Sequence, residues 1–312
     1  MRTLVPLAAL FGVIATPLAA QPPGGMAPGG MAPGGMAPGM GARNWDDFEI
    51  ASPEHVAGNI YRVVGGIIVN MAFSVGDDGI IMVDSNFEDL TEKIFTAIRE
   101  VSTQPIRFLI DTHSHGDHAD GNVSFGMAGT IIVAHDTVRI RLAHPPQGAS
   151  APAIALPIVT FSDRVTFHFN GEEVEAFHIA AGHTDGDVLI HFKGSDVIHM
   201  GDAFVSHYPL IDTGRGGNLL GLIETLDAAI TRVGPDTKII PGHGPIADRD
   251  DLIEFRDMVV GIHDRVSALV VEGRTLEQII AARPTADYDQ RWAGPQGSEG
   301  IVRAAYNAST KR

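Results

Sequence analysis

Residues 113–118 read His113-Ser114-His115-Gly116-Asp117-His118, so three imidazoles and one carboxylate fall within six positions. The apolar stretch 106–110 precedes them and is typical of a buried strand that ends at Asp111. Imidazole and carboxylate groups together suit zinc, and also iron or manganese, better than calcium or magnesium. A solvated polar loop would explain one histidine, but it explains this cluster less well. The stretch therefore predicts a metal site held on a rigid strand end.

Three later segments carry further candidate ligands, namely Gly182-His183-Thr184, Gly201-Asp202 and Pro241-Gly242-His243-Gly244. Together with the HxHxDH stretch they resemble, in the same order, the motifs of the metallo-β-lactamase superfamily over residues 55–265. The resemblance implies an α/β protein with an αββα four-layer sandwich, in which two sheets lie between helix layers and the metals lie at one edge. It indicates much less about substrate, because one fold hosts many chemistries.

The resemblance also implies a ligand set for two metal ions, zinc in the first instance and iron or manganese as the alternative. One ion would take His113, His115 and His183, the other Asp117, His118 and His243, and Asp202 would bridge them. Asp117 and Asp202 are therefore the candidate catalytic carboxylates. Two divalent ions with two carboxylates and a hydroxide leave a net positive site, which can polarise a carbonyl and stabilise an oxyanion.

Residues around this set are candidates for supporting roles. Asp84 and Asp111 end neighbouring predicted strands and are expected to orient imidazoles, although Asp111 would serve equally as a strand-end cap. Thr184 is expected to bond the loop backbone next to His183. Candidate substrate contacts are His207 and Tyr208, which follow Asp202 on a loop expected to face the pocket, and Asn70.

The composition narrows the classes of molecule that the protein is expected to bind. The chain has 312 residues and a formal charge of −16, which weighs against nucleic acid and anionic lipid because both attract Lys and Arg. It has no Cys, which excludes disulfides, a thiolate ligand and a nucleophilic Cys. We expect a small-molecule substrate, no nucleic acid and no stable membrane insertion after signal cleavage; the sequence leaves the oligomeric state open.

The amino-terminal 43 residues differ from the rest. Residues 1–20 are typical of a signal peptide, with Arg2 before a short apolar run and Ala19-Ala20 at the end, which predicts a periplasmic or secreted protein. Residues 21–43 repeat Gly-Gly-Met-Ala-Pro and predict a disordered spacer. Its methionines could bind Cu(I), but a spacer already explains the composition. Residues 44–312 would form the hydrolase domain with its carboxyl-terminal helices.

Periodicity predicts the elements of that domain. Predicted strands are 60–64, 67–75, 80–84, 106–110, 130–134, 188–192, 197–200 and 238–240, with a hairpin over 164–169 and 172–178. Predicted helices include 90–101, 136–143, 219–233, 252–269 and 298–307, a short one through Ala128 capped by Asp120, and one with a Thr275–Gln278 capping box. Residues 145–158 predict an irregular loop, which is either a lid beside the site or a surface loop without a functional role.

The residues and the resemblance together imply a dinuclear zinc hydrolase that attacks the carbonyl of a small ester, lactone, thioester or cyclic amide. The alternatives are a true β-lactamase, a mononuclear iron dioxygenase of the persulfide type, and a non-catalytic metal-binding scaffold. Asp202 favours the general hydrolases, since the β-lactamases with only His and Asp ligands lack a bridging acid there. A scaffold has no need of Asp202.

Overall fold

Two β-sheets form the centre of the molecule in the part that this computed structural model describes, residues 44–65, 69–294 and 297–310. The predicted signal peptide and spacer, residues 1–43, lie outside the described residues. The first sheet has the order β1-β2-β3-β4-β5-β6-β7. Its strands are Glu54–Ala57, Ile60–Gly65, Val69–Gly76, Gly79–Val83, Ile106–Ile110, Ile131–His135 and Val159–Phe161. Strands β1 to β4 pair antiparallel, and β4 to β7 pair parallel.

The second sheet has the order β12-β11-β10-β9-β8. Its strands in chain order are Arg164–Phe169, Glu172–Phe177, Leu189–Phe192, Val197–His199 and Lys238–Ile240. Only the β11–β12 pair is parallel within this sheet as described. The helices are α1 Thr91–Val101, α2 Gly116–Ala119, α3 Asn122–Met127, α4 Asp136–Ala143, α5 Leu219–Arg232, α6 Arg249–Val271, α7 Leu276–Ala281, α8 Asp289–Trp292 and α9 Glu299–Thr310.

Side-chain alternation along the strands builds the layers. In β4, Ile81 and Val83 pack with residues of the second sheet, while Ile80 and Met82 pack against α1. This is the two-residue period of a strand buried on both faces. Helices α5, α6 and α9 cover the outer face of the second sheet through a third apolar cluster. The order helix, sheet, sheet, helix confirms the predicted αββα sandwich.

The structure corrects some of the predicted elements. Asp120 does not cap α3, because the residue at the N-cap position of that helix is Gly121, which has no side chain to cap it. Strands β1 and β7 were not predicted, since both are short segments at the sheet edges with weak alternation. The Thr275–Gln278 capping box is confirmed.

The irregular loop 145–158 is fastened to the body at its carboxyl-terminal end. Ala155 is buried and its carbonyl accepts a hydrogen bond from Asn122 Nδ2, while Pro157 O accepts one from Arg139. Among the described helices, none has the length and apolar character needed to cross a membrane.

Candidate metal centre

Most candidate ligands, and the supporting residue Asp84, lie after strands at one edge of the two sheets. Asp84 follows β4, residues 113–118 follow β5, and Asp202 and His243 follow β11 and β12. The carboxyl ends of parallel strands meet at a common edge, which is where an open α/β sheet places its ligand site. This arrangement brings residues that are far apart in sequence into three His/Asp groups able to hold a metal ion.

In the first group, three imidazole nitrogens converge. His113 Nε2 is 3.0 Å from His115 Nδ1, and His183 Nε2 is 3.2 Å and 2.8 Å from those two atoms. Nitrogens that share a tetrahedral zinc ion at about 2.0–2.1 Å stand roughly 3.3 Å apart. The spacing of the first group therefore fits one metal ion.

Hydrogen bonds behind these rings fix which nitrogen carries the proton. His115 Nε2 donates to Asp212 Oδ2 at 2.8 Å, and His183 Nδ1 donates to the Leu210 carbonyl at 2.7 Å. Thr112 Oγ1 donates to Asp84 and lies 3.0 Å from His113 Nδ1, so it accepts from that ring. The three inward nitrogens are thus left as lone-pair donors. Three lone pairs at such distances repel one another, and a cation between them removes that repulsion.

The second group combines a carboxylate with two imidazoles. Asp117 Oδ2 lies 3.7 Å from His118 Nε2 and 3.4 Å from His243 Nε2. All three ligand atoms are within 4.8 Å of one another. This group fits a second metal ion with mixed oxygen and nitrogen ligands.

The third group is His113, His118 and Asp202, and Asp202 lies between the other two groups. Its Oδ1 is 3.3 Å from His118 Nε2 and 3.4 Å from His243 Nε2, and its Oδ2 is 3.6 Å from His183 Nε2. Within the described residues, His118 Nε2 and Asp202 Oδ1 are buried without a hydrogen-bond partner. Buried polar atoms are normally satisfied. A metal ion at this position would satisfy both, so the residues present fit the implied metals.

The protonation states agree with this donor set. Burial lowers the pKa of His113 well below its usual range and that of His183 to about 4, so both rings are neutral ligands. Burial would also lower the pKa of His118, but Asp202, Asp117 and Asp84 raise it well above its usual range. Burial is likewise outweighed at His243, whose pKa Asp202 and Asp117 raise to about 10. Protons and a metal ion therefore compete for the second group.

Asp84 supports both groups from behind. Its Oδ1 accepts from Thr112 N at 2.7 Å, and its Oδ2 accepts from His118 Nδ1 at 2.7 Å and from Thr112 Oγ1 at 2.8 Å. Asp111, which was predicted to share this role, instead accepts a hydrogen bond from Asn122 at 2.8 Å. Asp111 is fully buried, and this burial raises its pKa well above the usual range.

Two carboxylates that the sequence analysis did not single out hold the loops of the first group. Asp212 bonds His115 through its side chain, and its backbone N–H donates to the His183 carbonyl at 2.9 Å. Asp187 accepts from Thr184 N at 2.9 Å and from the Thr184 hydroxyl. Thr184 in turn accepts from Gly186 N at 3.2 Å. The only signal in the sequence was that both acids stand in Gly-containing loops near the candidate motifs.

The structure corrects two of the three candidate substrate contacts. Asn70 is fully buried and bonds the backbone on both sides of His243, so it does not reach a pocket. Tyr208 is buried, and its hydroxyl bonds Asp289 Oδ1 at 2.9 Å in the carboxyl-terminal region. His207 is half-buried, with its ring centre 6.2 Å from that of His243.

Gly242 shows how tightly the second group is built. A Cβ at this position would overlap Asp202 Oδ1 and the backbone of residues 201–202. Only glycine lets the loop that carries His243 approach the bridging carboxylate this closely.

A layered α/β sandwich with imidazoles and carboxylates gathered at one sheet edge defines a class, the metal-dependent hydrolases of the αββα type. The family model of the metallo-β-lactamase superfamily matches residues 64–245. The chain belongs to the metallo-β-lactamase superfamily, whose relatives found for it are metal-dependent hydrolases.

Known proteins resemble the chain at low identity. It is 23% identical to the metallo-beta-lactamase type 2 of Bacillus cereus over 197 residues, covering 62% of this chain and 72% of that protein. It is 23% identical to an alkyl/aryl-sulfatase of Saccharomyces cerevisiae over 293 residues, covering 76% of this chain and 45% of that one. The solved sec-alkylsulfatase Pisa1 from Pseudomonas sp. superimposes with a TM-score of 0.64 at 18% identity, covering 83% of this chain and 50% of the other. The chain thus spans about half the length of either sulfatase.

Proposed function

We propose that the protein holds two zinc ions and hydrolyses a small ester, lactone, thioester or cyclic amide at its carbonyl. The observation that carries this proposal is the placement of Asp202, whose two carboxylate oxygens face different groups of imidazoles. A carboxylate between two such groups would offset charge on both of two ions that share one water. Iron or manganese in the same ligands remains the alternative to zinc.

The chain's own residues would divide the work. His113, His115 and His183 hold one ion, and Asp117, His118 and His243 hold the other, with Asp202 between them. When bound, the ions lower the pKa of water to about 7 and polarise the carbonyl under attack. Asp117 is partly exposed, and its carboxylate would accept a hydrogen bond from the attacking water and orient it. His207 lies beside His243 and would contact the substrate through its Nε2, since its Nδ1 is engaged with the Tyr208 carbonyl.

Metal analysis followed by a substrate panel tests the proposal. After purification with zinc, plasma mass spectrometry should find about two metals per chain. Nitrocefin, lactones, thioesters and simple esters should then be compared at equal enzyme concentration. One tightly bound iron and no second metal would remove the hydrolase proposal and favour the persulfide-type dioxygenase. Two metals without turnover of any compound would favour the non-catalytic scaffold.

A second candidate is hydrolysis of a sulfate ester. The similarity to the yeast alkyl/aryl-sulfatase extends over 76% of this chain, against 62% for the Bacillus cereus β-lactamase. A positively charged site would also suit an anionic ester. A primary and a secondary alkyl sulfate belong in the same panel. Turnover of these two compounds alone would favour sulfate-ester hydrolysis over the proposed carbonyl substrates. Turnover of nitrocefin as the best substrate would support the β-lactamase alternative.

We also propose that the protein is exported and works in the periplasm or outside the cell. This rests on the sequence of residues 1–20 alone. Fractionation of cells that express the full chain, with mass determination of the mature amino terminus, tests it. Retention in the cytoplasm with an intact amino terminus would contradict it.

A further inference from the structure

Asn70, in the first sheet, makes hydrogen bonds to the backbone on both sides of His243. It lies in β3, is fully buried, and its side-chain amide donates to the carbonyls of Pro241 and Gly244, both at 2.8 Å. Its backbone N–H donates to the Gly242 carbonyl at 2.9 Å. Three N–H donors of Asn70 thus bind the backbone carbonyls of three residues next to His243.

The loop around His243 has further hydrogen-bond partners. Arg62, on the neighbouring strand β2, donates to the Gly244 carbonyl at 3.2 Å and lies 3.5 Å from Asn70 Oδ1. The His243 carbonyl accepts a hydrogen bond from Ser206 N at 3.0 Å. Every backbone carbonyl from residue 241 to 244 therefore has a defined partner on another element.

The loop needs this external support because of its own composition. Gly242 and Gly244 stand on either side of His243, and Gly244 adopts a φ of 120°. Glycines cost more conformational entropy to order than any other residue, so the loop has little intrinsic preference for its observed shape. The position of the His243 imidazole, 3.4 Å from both Asp117 and Asp202, must be imposed from outside.

We infer that Asn70 is a positioning residue that sets the affinity of the second metal group through the His243 loop. The inference rests on the proposed role of His243 as a metal ligand. It replaces the predicted substrate contact at Asn70 with a different kind of role. Because His113, His115 and His183 are held by other elements, the effect is confined to the second group.

Asn70→Ser tests this, since serine removes both amide donors without burying a charge. Zinc affinity should be measured by competition with a chromophoric chelator, together with the rise in Tm that zinc produces. We expect the second zinc ion to bind about 10- to 100-fold more weakly, the scale of losing an outer partner of a ligand, and the first to be retained. The zinc-induced rise in Tm should shrink accordingly.

Asn170→Ser is the matched control. The Asn170 amide also donates to a backbone carbonyl, that of Gly79 at 3.1 Å, and to Ser74 Oγ, but it lies in the β8–β9 turn and contacts no candidate ligand. It should lower the Tm of the metal-free protein and leave both zinc affinities unchanged. Equal loss of Tm in Asn70→Ser with and without zinc, at unchanged zinc affinity, would show that Asn70 is structural only. Loss of both zinc ions would overturn the restriction to the second group.

Arg62→Gln provides a milder variant should Asn70→Ser fail to fold. It removes one donor to Gly244 and should weaken the second zinc ion by up to about tenfold. Arg62 also pairs with Glu54, so Glu54→Gln serves as its control and should leave zinc binding unchanged. Unchanged zinc binding in Arg62→Gln with Asn70→Ser unfolded would overturn the inference. A wild-type protein that binds fewer than two metals would instead overturn the proposed function itself.

Discussion

Asp84 and His118 are joined by a 2.7 Å hydrogen bond between Oδ2 and Nδ1, and both side chains are fully buried. The bond leaves His118 Nε2 as the inward nitrogen. The same carboxylate holds Thr112, which contacts His113 in the other group. Asp84 adopts a φ of 61°, a region in which residues other than glycine are uncommon. Backbone strain of this kind persists where surrounding contacts over-determine the position, and it concentrates at functional sites.

Asp84→Asn should weaken metal binding in both groups. The amide keeps the shape but presents a donor to Thr112 N, or to both His118 Nδ1 and Thr112 Oγ1, which are donors themselves, so at least one bond is lost. We expect affinity to fall about 10- to 100-fold in a zinc competition titration. Asp89→Asn makes the same charge change on an exposed residue and should have no effect. Normal affinity in Asp84→Asn would contradict the orienting role.

Asp202→Asn should weaken the second metal and lower turnover by at least about a hundredfold, because a bridging amide cannot offset charge on both sides. His243→Ala should act similarly through the same group. Metal content and kcat on the best substrate of the panel are the readouts. Full metal content and full activity in Asp202→Asn would defeat the bridging assignment.

Asp202→Ser separates the β-lactamase alternative from the other hydrolases. It removes the bridging acid that the β-lactamases with only His and Asp ligands lack. If the protein is a β-lactamase in every other respect, this variant should retain or gain nitrocefin hydrolysis. If it is a lactonase or thioesterase, the variant should lose its native activity and gain none on nitrocefin.

Gly242→Ala should reproduce part of the Asp202→Asn effect without altering any ligand. The added methyl group would overlap Asp202 Oδ1, so the carboxylate or the loop must shift. A shift of the reacting groups by about 1 Å can cost on the order of a hundredfold in rate. Gly300→Ala, where the new Cβ meets open space, is the control and should leave zinc binding and turnover unchanged. A fully active Gly242→Ala would show that the site tolerates displacement of Asp202.

Zinc binding to the second group should release protons. In the metal-free protein the pKa of His243 is raised to about 10 and that of His118 well above its usual range, so both are protonated at neutral pH. Asp117, whose pKa is lowered to about 2 by His118 and His243 against the effect of burial, is already ionised. Calorimetry in buffers of different ionisation enthalpy at pH 7 should find about two protons released with the second zinc ion. Affinity should rise with pH, and a pH-independent affinity between pH 6 and 9 would contradict the assignment.

The amino-acid sequence was enough to predict the candidate ligands and the class of fold. In residues 113–118 the ligands are so close along the chain that local geometry alone keeps them together. The continuous apolar run 80–83 is typical of a strand buried on both faces, and it is visible without tertiary information. The negative charge weighed against nucleic acid and anionic lipid as partners, and the lack of Cys excluded a thiolate metal ligand.

The residues that support the ligands could be identified only from the packing of the two sheets. Asp212 meets His115 across 97 residues of sequence, and Asn70 meets Pro241 across 171. Such contacts depend on how two sheets pack and where their strand ends meet, which no local pattern records. The sequence does not distinguish an Asn that faces a pocket from one, such as Asn70, that binds the backbone of a buried loop. Nor does it distinguish a Tyr in a pocket from Tyr208, whose hydroxyl bonds Asp289. Burial separates them, because a buried amide must spend its donors on the backbone around it.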